Sequence, residues 1–188
     1  SEDLSSERLL AAYRRGIFPW FEEPQPVLWW TPDPRLVLFP AEFHCARSLR
    51  RTLRRERYRL TVDACFREVM EACAAPRPGQ DGTWISSRMV AAYGALHDAG
   101  HAHSIESWDR EGRLVGGLYG VCLGGAFFGE SMFSRAADAS KVAFAGLVRL
   151  LEAGGGCIID CQVETDHLLA LGARSIPRVD FEARLAQT

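Results

Sequence analysis

The 188-residue chain lacks the short motifs that bind nucleotides. It has no G-x-x-x-x-G-K-[ST] loop to cradle phosphates and no G-x-G-x-x-G opening a helix, so neither nucleotide hydrolysis nor a dinucleotide cofactor is predicted. A G-x-S-x-G nucleophile elbow is missing too. No cofactor is expected, and any catalysis must draw its driving force from the substrate.

Long apolar runs are also missing. None approaches the roughly 20 residues that span a bilayer, and the N-terminus does not resemble a signal peptide, so no membrane partner is expected. The six cysteines (45, 65, 73, 122, 157 and 161) include no C-x-x-C pair and lack the density of a disulfide scaffold. A reducing cytoplasm suits them. Lysine occurs once, as Lys141, so the cationic side chains are otherwise arginines, within a net charge of −2. A hydrophobic fraction of 47% supplies one core and excludes a disordered chain.

The patterning predicts a helix capped by Ser5 and ending at Gly16, then an aromatic, proline-rich segment with one strand at "VLWW". This suggests a small N-terminal lobe, residues 1–34, followed by a main domain, residues 35–188. The main domain reads as a strand "RLVLF", a helix from about Ala46, a strand "YRLTV", and helices around "ACFREVMEACA" and "SSRMVAAYGALHDAG". Three successive strands, "HSIESWD", "RLVGGLYGVCL" and "GAFFGESMF", form an antiparallel meander. A helix "ASKVAFAGLVRLLEAG", a strand "CIID" and a helix after Pro177 complete an α+β fold, a sheet flanked by helices.

Five groups of residues stand out. Arg47, Arg50, Arg51, Arg54 and Arg55 repeat at helical spacing, which is locally repulsive and suits either a solvated face or a polyanion. Trp20 and Trp84 lie in turn-like contexts, where an indole could stack on a base, although most tryptophans fill cores. Glu130 ends an apolar strand beside Met132 and Phe133, and needs a raised pKa or a cationic partner such as Arg135. His101 and His103 form an H-x-H pair without a third ligand, which favours structural histidines, and no metal is expected. Asp160 and Gln162 alternate at the end of an otherwise apolar strand, predicting a carboxylate and an amide on one face. The plainer alternative has Asp160 capping a helix and Gln162 packing on its surface.

The blocks "GIFPWF", "LWWTPDPR", "PRPGQDGTWI", "LHDAGHAHSIE", "VGGLYGV", "GESMFSR", "ASK", "IIDCQV" and "SIPR" occur in order from Gly16 to Arg178. In this the chain resembles the leucyl/phenylalanyl-tRNA–protein transferase family. The resemblance implies transfer of leucine or phenylalanine, sometimes methionine, from aminoacyl-tRNA to the N-terminal amine of proteins that begin with arginine or lysine, marking them for N-end rule degradation in the bacterial cytosol. It implies a Gcn5-related acetyltransferase-like domain behind an N-terminal lobe that is shorter here than in the family. It further implies that Asp160 and Gln162 are catalytic, that Trp20 and Trp84 border the terminal adenosine, and that Leu118, Met132, Phe144, Leu147, Leu151 and Ile159 line an aminoacyl pocket with Tyr93 close by.

Ester aminolysis is downhill, so bringing amine and ester together can supply much of the catalysis. An N-terminal amine, with a pKa of about 8, must be neutral to attack. Asp160 could stabilise the positive charge growing on nitrogen, and Gln162 could orient the amine. Glu130 is expected to bind the acceptor's cationic side chain, and the arginine helix to bind tRNA. No motif calls for a dimer, so a monomer is expected. Two other functions compete: an acetyl-CoA-dependent N-acetyltransferase of the same fold and a non-catalytic RNA-binding module. The former lacks a pyrophosphate-cradling R/Q-x-x-G-x-G/A, because "RLVGGL" ends in leucine within a strand. The latter leaves Asp160, Gln162 and Glu130 without a role.

Overall fold

The computed structural model describes residues 3–76 and 83–188. Helix α1 (Ser6–Tyr13) starts at Ser5, whose hydroxyl accepts from the Arg8 amide, and it buries Leu9, Ala12 and Tyr13. The chain turns at Gly16, with φ +70°, and then pairs two short strands, β1 (Phe18–Pro19) and β2 (Trp29–Trp30), antiparallel. The second of these falls within the predicted "VLWW".

The elements that follow are β3 (Arg35–Leu38), α2 (Arg47–Arg54), β4 (Arg59–Val62), α3 (Phe66–Ala74), α4 (Ser87–Asp98), β5 (Ala102–Trp108), β6 (Leu114–Leu123) and β7 (Ala126–Ser134). After them come α5 (Ala139–Gly154), β8 (Ile158–Gln162), α6 (Asp166–Ala170), β9 (Arg174–Ile176) and α7 (Arg178–Leu185). The large sheet has seven strands in the order β4-β5-β6-β7-β8-β3-β9. The β5–β6–β7 meander is antiparallel as expected, while β7 and β8 run parallel because α5 carries the chain back across the sheet. The α+β class is therefore observed. Neither α6 nor β9 is predicted by the sequence pattern, since both are too short to show a period.

Each face of the sheet has its own core. One gathers Leu9, Tyr13, Val69, Met89, Tyr93 and Phe128 beneath α1, α3 and α4. The other gathers Leu36, Leu38, Ile105, Leu118, Phe144 and Leu147 beneath α5. Side chains alternate between these faces along β3 and β8, so Leu36, Leu38, Ile159 and Cys161 join the α5 core, whereas Val37 and Ile158 join the other. Arg35 and Asp160 share the parity of that second set. All six cysteines are free thiols.

Candidate active site

Two irregularities shape the site. In the β6–β7 pairing, Gly120 faces Gly129 and Tyr119 faces Ser131, which leaves Glu130 as an extra residue opposite no partner. A bulge of this kind re-aims the side chain it carries. In the β3–β8 pairing, Val37 faces Asp160 and Leu36 faces Gln162, so Cys161 is the extra residue. Gln162 then takes φ +66°, a left-handed conformation that is uncommon outside glycine.

Asp160 is fully buried and so is its partner, Arg35. Arg35 Nε donates to Asp160 Oδ1 at 2.7 Å and Nη2 donates to Oδ2 at 2.6 Å, a two-pronged ion pair. Asp160 Oδ1 also accepts the backbone N–H of Gln162 at 3.0 Å. The plainer alternative for Asp160 is thus not seen: α6 is capped by Thr165, not by Asp160. Asp160 and Gln162 do converge, but they do so through the bulge and this backbone contact, not through simple alternation.

Gln162 Nε2 donates to Glu130 Oε1 at 3.1 Å. The same oxygen accepts from Tyr13 Oη at 2.5 Å, and Tyr93 Oη donates to Oε2 at 3.4 Å. The two tyrosine hydroxyls also hydrogen-bond to each other. Glu130 therefore does not pair with Arg135, whose guanidinium donates to the Leu114 carbonyl. Burial, the largest influence, and the nearby Asp160 charge push the Glu130 carboxyl up to about 8, against hydrogen bonds from Tyr13, Gln162 and Tyr93. Burial and the Glu130 charge hold the Tyr13 and Tyr93 hydroxyls well above the usual phenol range. Tyr13 and Arg35 are the two residues here that the sequence reasoning missed. A clue to the second was available in an arginine heading an apolar strand and an aspartate ending another.

A cavity of about 760 Å³ opens beside this network, lined by Glu130, Asp160, Gln162, Trp20 and Trp84. Leu118, Met132, Phe144, Leu147 and Ile159 line it too. Of the expected pocket residues, Leu151 instead packs, partly buried, against the α5-face core, and Tyr93 is fully buried while its hydroxyl reaches Glu130. Trp20 is 45% exposed, and Trp30 Nε1 donates to its carbonyl at 2.7 Å, fixing the two indoles as a tilted pair. Within the block "PRPGQDGTWI", residues 77–82 lie outside the described residues. His167 also lines the cavity, with its pKa lowered by burial and then by Lys141.

The five arginines at 47, 50, 51, 54 and 55 lie on or directly after α2, and all are exposed. Leu49, which is buried, anchors this helix, and Thr52 donates to Asp138 at 2.9 Å. Among the described residues, none of the five forms an ion pair. His103 Nδ1 lies 2.7 Å from Asp63, away from the cavity lining. Among the described residues, no helix is long and apolar enough to cross a membrane.

The family model for leucyl/phenylalanyl-tRNA protein transferase matches residues 37–186, and that for the family's N-terminal domain matches residues 2–33. A leucyl/phenylalanyl-tRNA–protein transferase of Thiobacillus denitrificans is 63% identical over 98% of this chain and 81% of its own length. Relatives of the same name are 60% identical in Nitrosomonas europaea, over 98% of this chain and 78% of theirs, and 58% identical in Pseudomonas syringae pv. syringae, over 98% and 80%. Among solved structures, L-PGS from Bacillus licheniformis has a TM-score of 0.47 at 11% identity, covering 86% of this chain and 52% of that one, too distant to bear on function. With both family models matched and identity this high across nearly its whole length, this chain belongs to the leucyl/phenylalanyl-tRNA protein transferase family.

Proposed function

We propose that this enzyme moves leucine or phenylalanine from aminoacyl-tRNA to the N-terminal amine of proteins that begin with arginine or lysine, acting as a cytosolic monomer. The observation that carries this reading is the single cavity in which two indoles, an apolar pocket and the Glu130–Gln162 pair adjoin. The indoles Trp20 and Trp84 stack on the terminal adenosine. The aminoacyl side chain enters among Leu118, Met132, Phe144, Leu147 and Ile159, with Leu151 and Tyr93 supporting that pocket from behind. A pocket of this kind separates side chains by shape, at about 1–3 kcal/mol per methylene.

In the reaction, the neutral amine attacks the ester carbonyl, the C–N bond forms, and the ester C–O bond breaks. The amine proton ends on the released ribose hydroxyl, so no net proton is consumed. Gln162 donates its amide N–H to Glu130, leaving its carbonyl oxygen to accept an N–H of the attacking amine and orient it. Asp160 has both oxygens occupied by Arg35 and is fully buried, which supports a role as an electrostatic anchor acting through Gln162. Glu130, when ionised, provides the counter-charge for the acceptor's arginine or lysine. The exposed arginines of the α2 segment bind tRNA phosphates, at a distance from the chemistry. Residues 1–34 act as a small lobe that closes the site, and residues 35–188 as the catalytic domain.

The decisive experiment incubates leucyl-tRNA with an Arg-initiated peptide and looks by mass spectrometry for one added leucine. An unmodified peptide with well-folded protein removes the reading. Titration with acetyl-CoA separates the competing enzyme class, which needs micromolar binding.

A further inference from the structure

Arg35 heads β3 with its side chain completely buried, a costly position for a guanidinium unless every donor direction is used. Two prongs hold Asp160, and Nη1 donates to the Gly16 carbonyl at 2.9 Å. Its plane lies over the rings of Phe18 and Phe181, at 4.9 and 4.5 Å from their centroids. Three distant stretches of chain, the turn after α1 leading into β1, then β8 and α7, therefore meet on one planar cation. A lysine is a single point charge and could not hold them in one geometry.

The contacts continue toward the cavity. Asp160 Oδ1, gripped by Arg35, accepts the N–H of Gln162, whose backbone is held at φ +66°, and the Gln162 amide then meets Glu130. A strained conformation persists only where its surroundings over-determine it. Packed apolar side chains would stabilise the core as well as a buried ion pair does, so stability alone gives this pair little reason to exist. Its outer end lies on the left-handed residue that lines the cavity.

We infer that Arg35 is a positioning residue for aminoacyl transfer: through Asp160 it fixes the left-handed backbone of Gln162 and so holds the Gln162 amide against Glu130. Arg35 does not touch the substrate. The inference rests on the proposed role of Gln162 and deepens it, because an Asp160 held on both oxygens serves as a link and not as a proton acceptor.

The test measures single-turnover transfer and aminoacyl-tRNA affinity for the wild type, Arg35→Lys, Asp160→Asn and the double variant, each with its folded fraction determined by circular dichroism. Arg35→Lys is expected to lose about a hundredfold in rate, the scale of a misplacement of about 1 Å, while tRNA affinity changes less than about threefold. In the Asp160→Asn background the same substitution should cost little more, because the two act as one unit. Phe181→Leu keeps the ion pair but removes one ring face, and should lower the rate severalfold with unchanged affinity. It decides the matter alone if Arg35→Lys does not fold. A rate that falls only with the folded fraction, or losses that combine in full in the double variant, would overturn the inference. An inactive wild type would instead remove the functional reading itself.

Discussion

Arg50 projects into water from α2 with four other arginines around it, whereas Arg35 is sealed beneath the cavity with a carboxylate, a carbonyl and two aromatic rings on it. The difference lies in the solvent. In water, charges about a Debye length apart are screened, and each exposed arginine contributes separately to any anion that approaches. In the core the charge has one compensating partner and one geometry, so its loss falls on the whole network. The exposed arginines act by number, and the buried one acts by position.

The largest expected effect breaks this comparison from the buried side. Asp160→Asn leaves the Arg35 charge without its counter-ion and should destabilise the fold by about 3–5 kcal/mol, read as a lowered midpoint in urea unfolding. If transfer survives in full in the fraction that remains folded, Asp160 has no part in the reaction.

A smaller effect concerns Glu130. Its folded-state pKa is raised from 4.5 to about 8, so the folded protein holds a proton that the unfolded chain releases. Stability from this group is complete below about pH 4.5 and is lost as pH rises through about 8, with the slope lying between these values. Glu130→Gln should flatten that slope in thermal unfolding measured from pH 5 to pH 8. Because the same carboxylate is proposed to bind the acceptor's cation, wild-type preference for Arg- over Ala-initiated peptides should rise as pH climbs through about 8. In the Gln variant that preference should be absent, and a preserved ratio would assign the acceptor cation elsewhere.

On the exposed side, Arg50→Glu with Arg54→Glu should weaken tRNA binding at low salt and reduce the steepness of its salt dependence by about one to two in slope, leaving the unfolding midpoint close to wild type. Identical binding isotherms across salt would assign α2 to plain solvation. The smallest effect sharpens the contrast: Arg113→Ala removes an exposed ion pair to Asp109, and should shift neither stability nor transfer detectably.

The elements with a clear period were legible. The capped start of α1, the long α5 and the meander β5–β7 follow from spacing and turn residues, and the arginine face of α2 follows from the same periodicity. The apolar side chains Leu118, Met132, Phe144, Leu147 and Ile159 were legible as pocket residues only through the resemblance, because a pocket wall and a core wall have the same composition. Tyr13 carries no local signal, and Arg35 offers only the clue of a charge heading an apolar strand, with nothing to say which carboxylate it meets. Each is distant in sequence from its partner, with Tyr13 lying 117 residues from Glu130 and Arg35 lying 125 residues from Asp160. No local pattern encodes such a pairing. Nor does alternation reveal that Glu130 and Cys161 are extra residues in their ladders, since a bulge shows only when two strands are placed side by side.

From its residues alone this chain was bound to form helices and strands with apolar faces, a reservoir of free thiols and a cationic helix, because those properties depend on neighbours a few positions away. Pairing across the sheet decided the rest: which carboxylate keeps its proton, which one is locked to a guanidinium, and where an amide faces a cavity. Burial and the geometry of contact set those outcomes, and both arise only when distant segments exclude water from the same place.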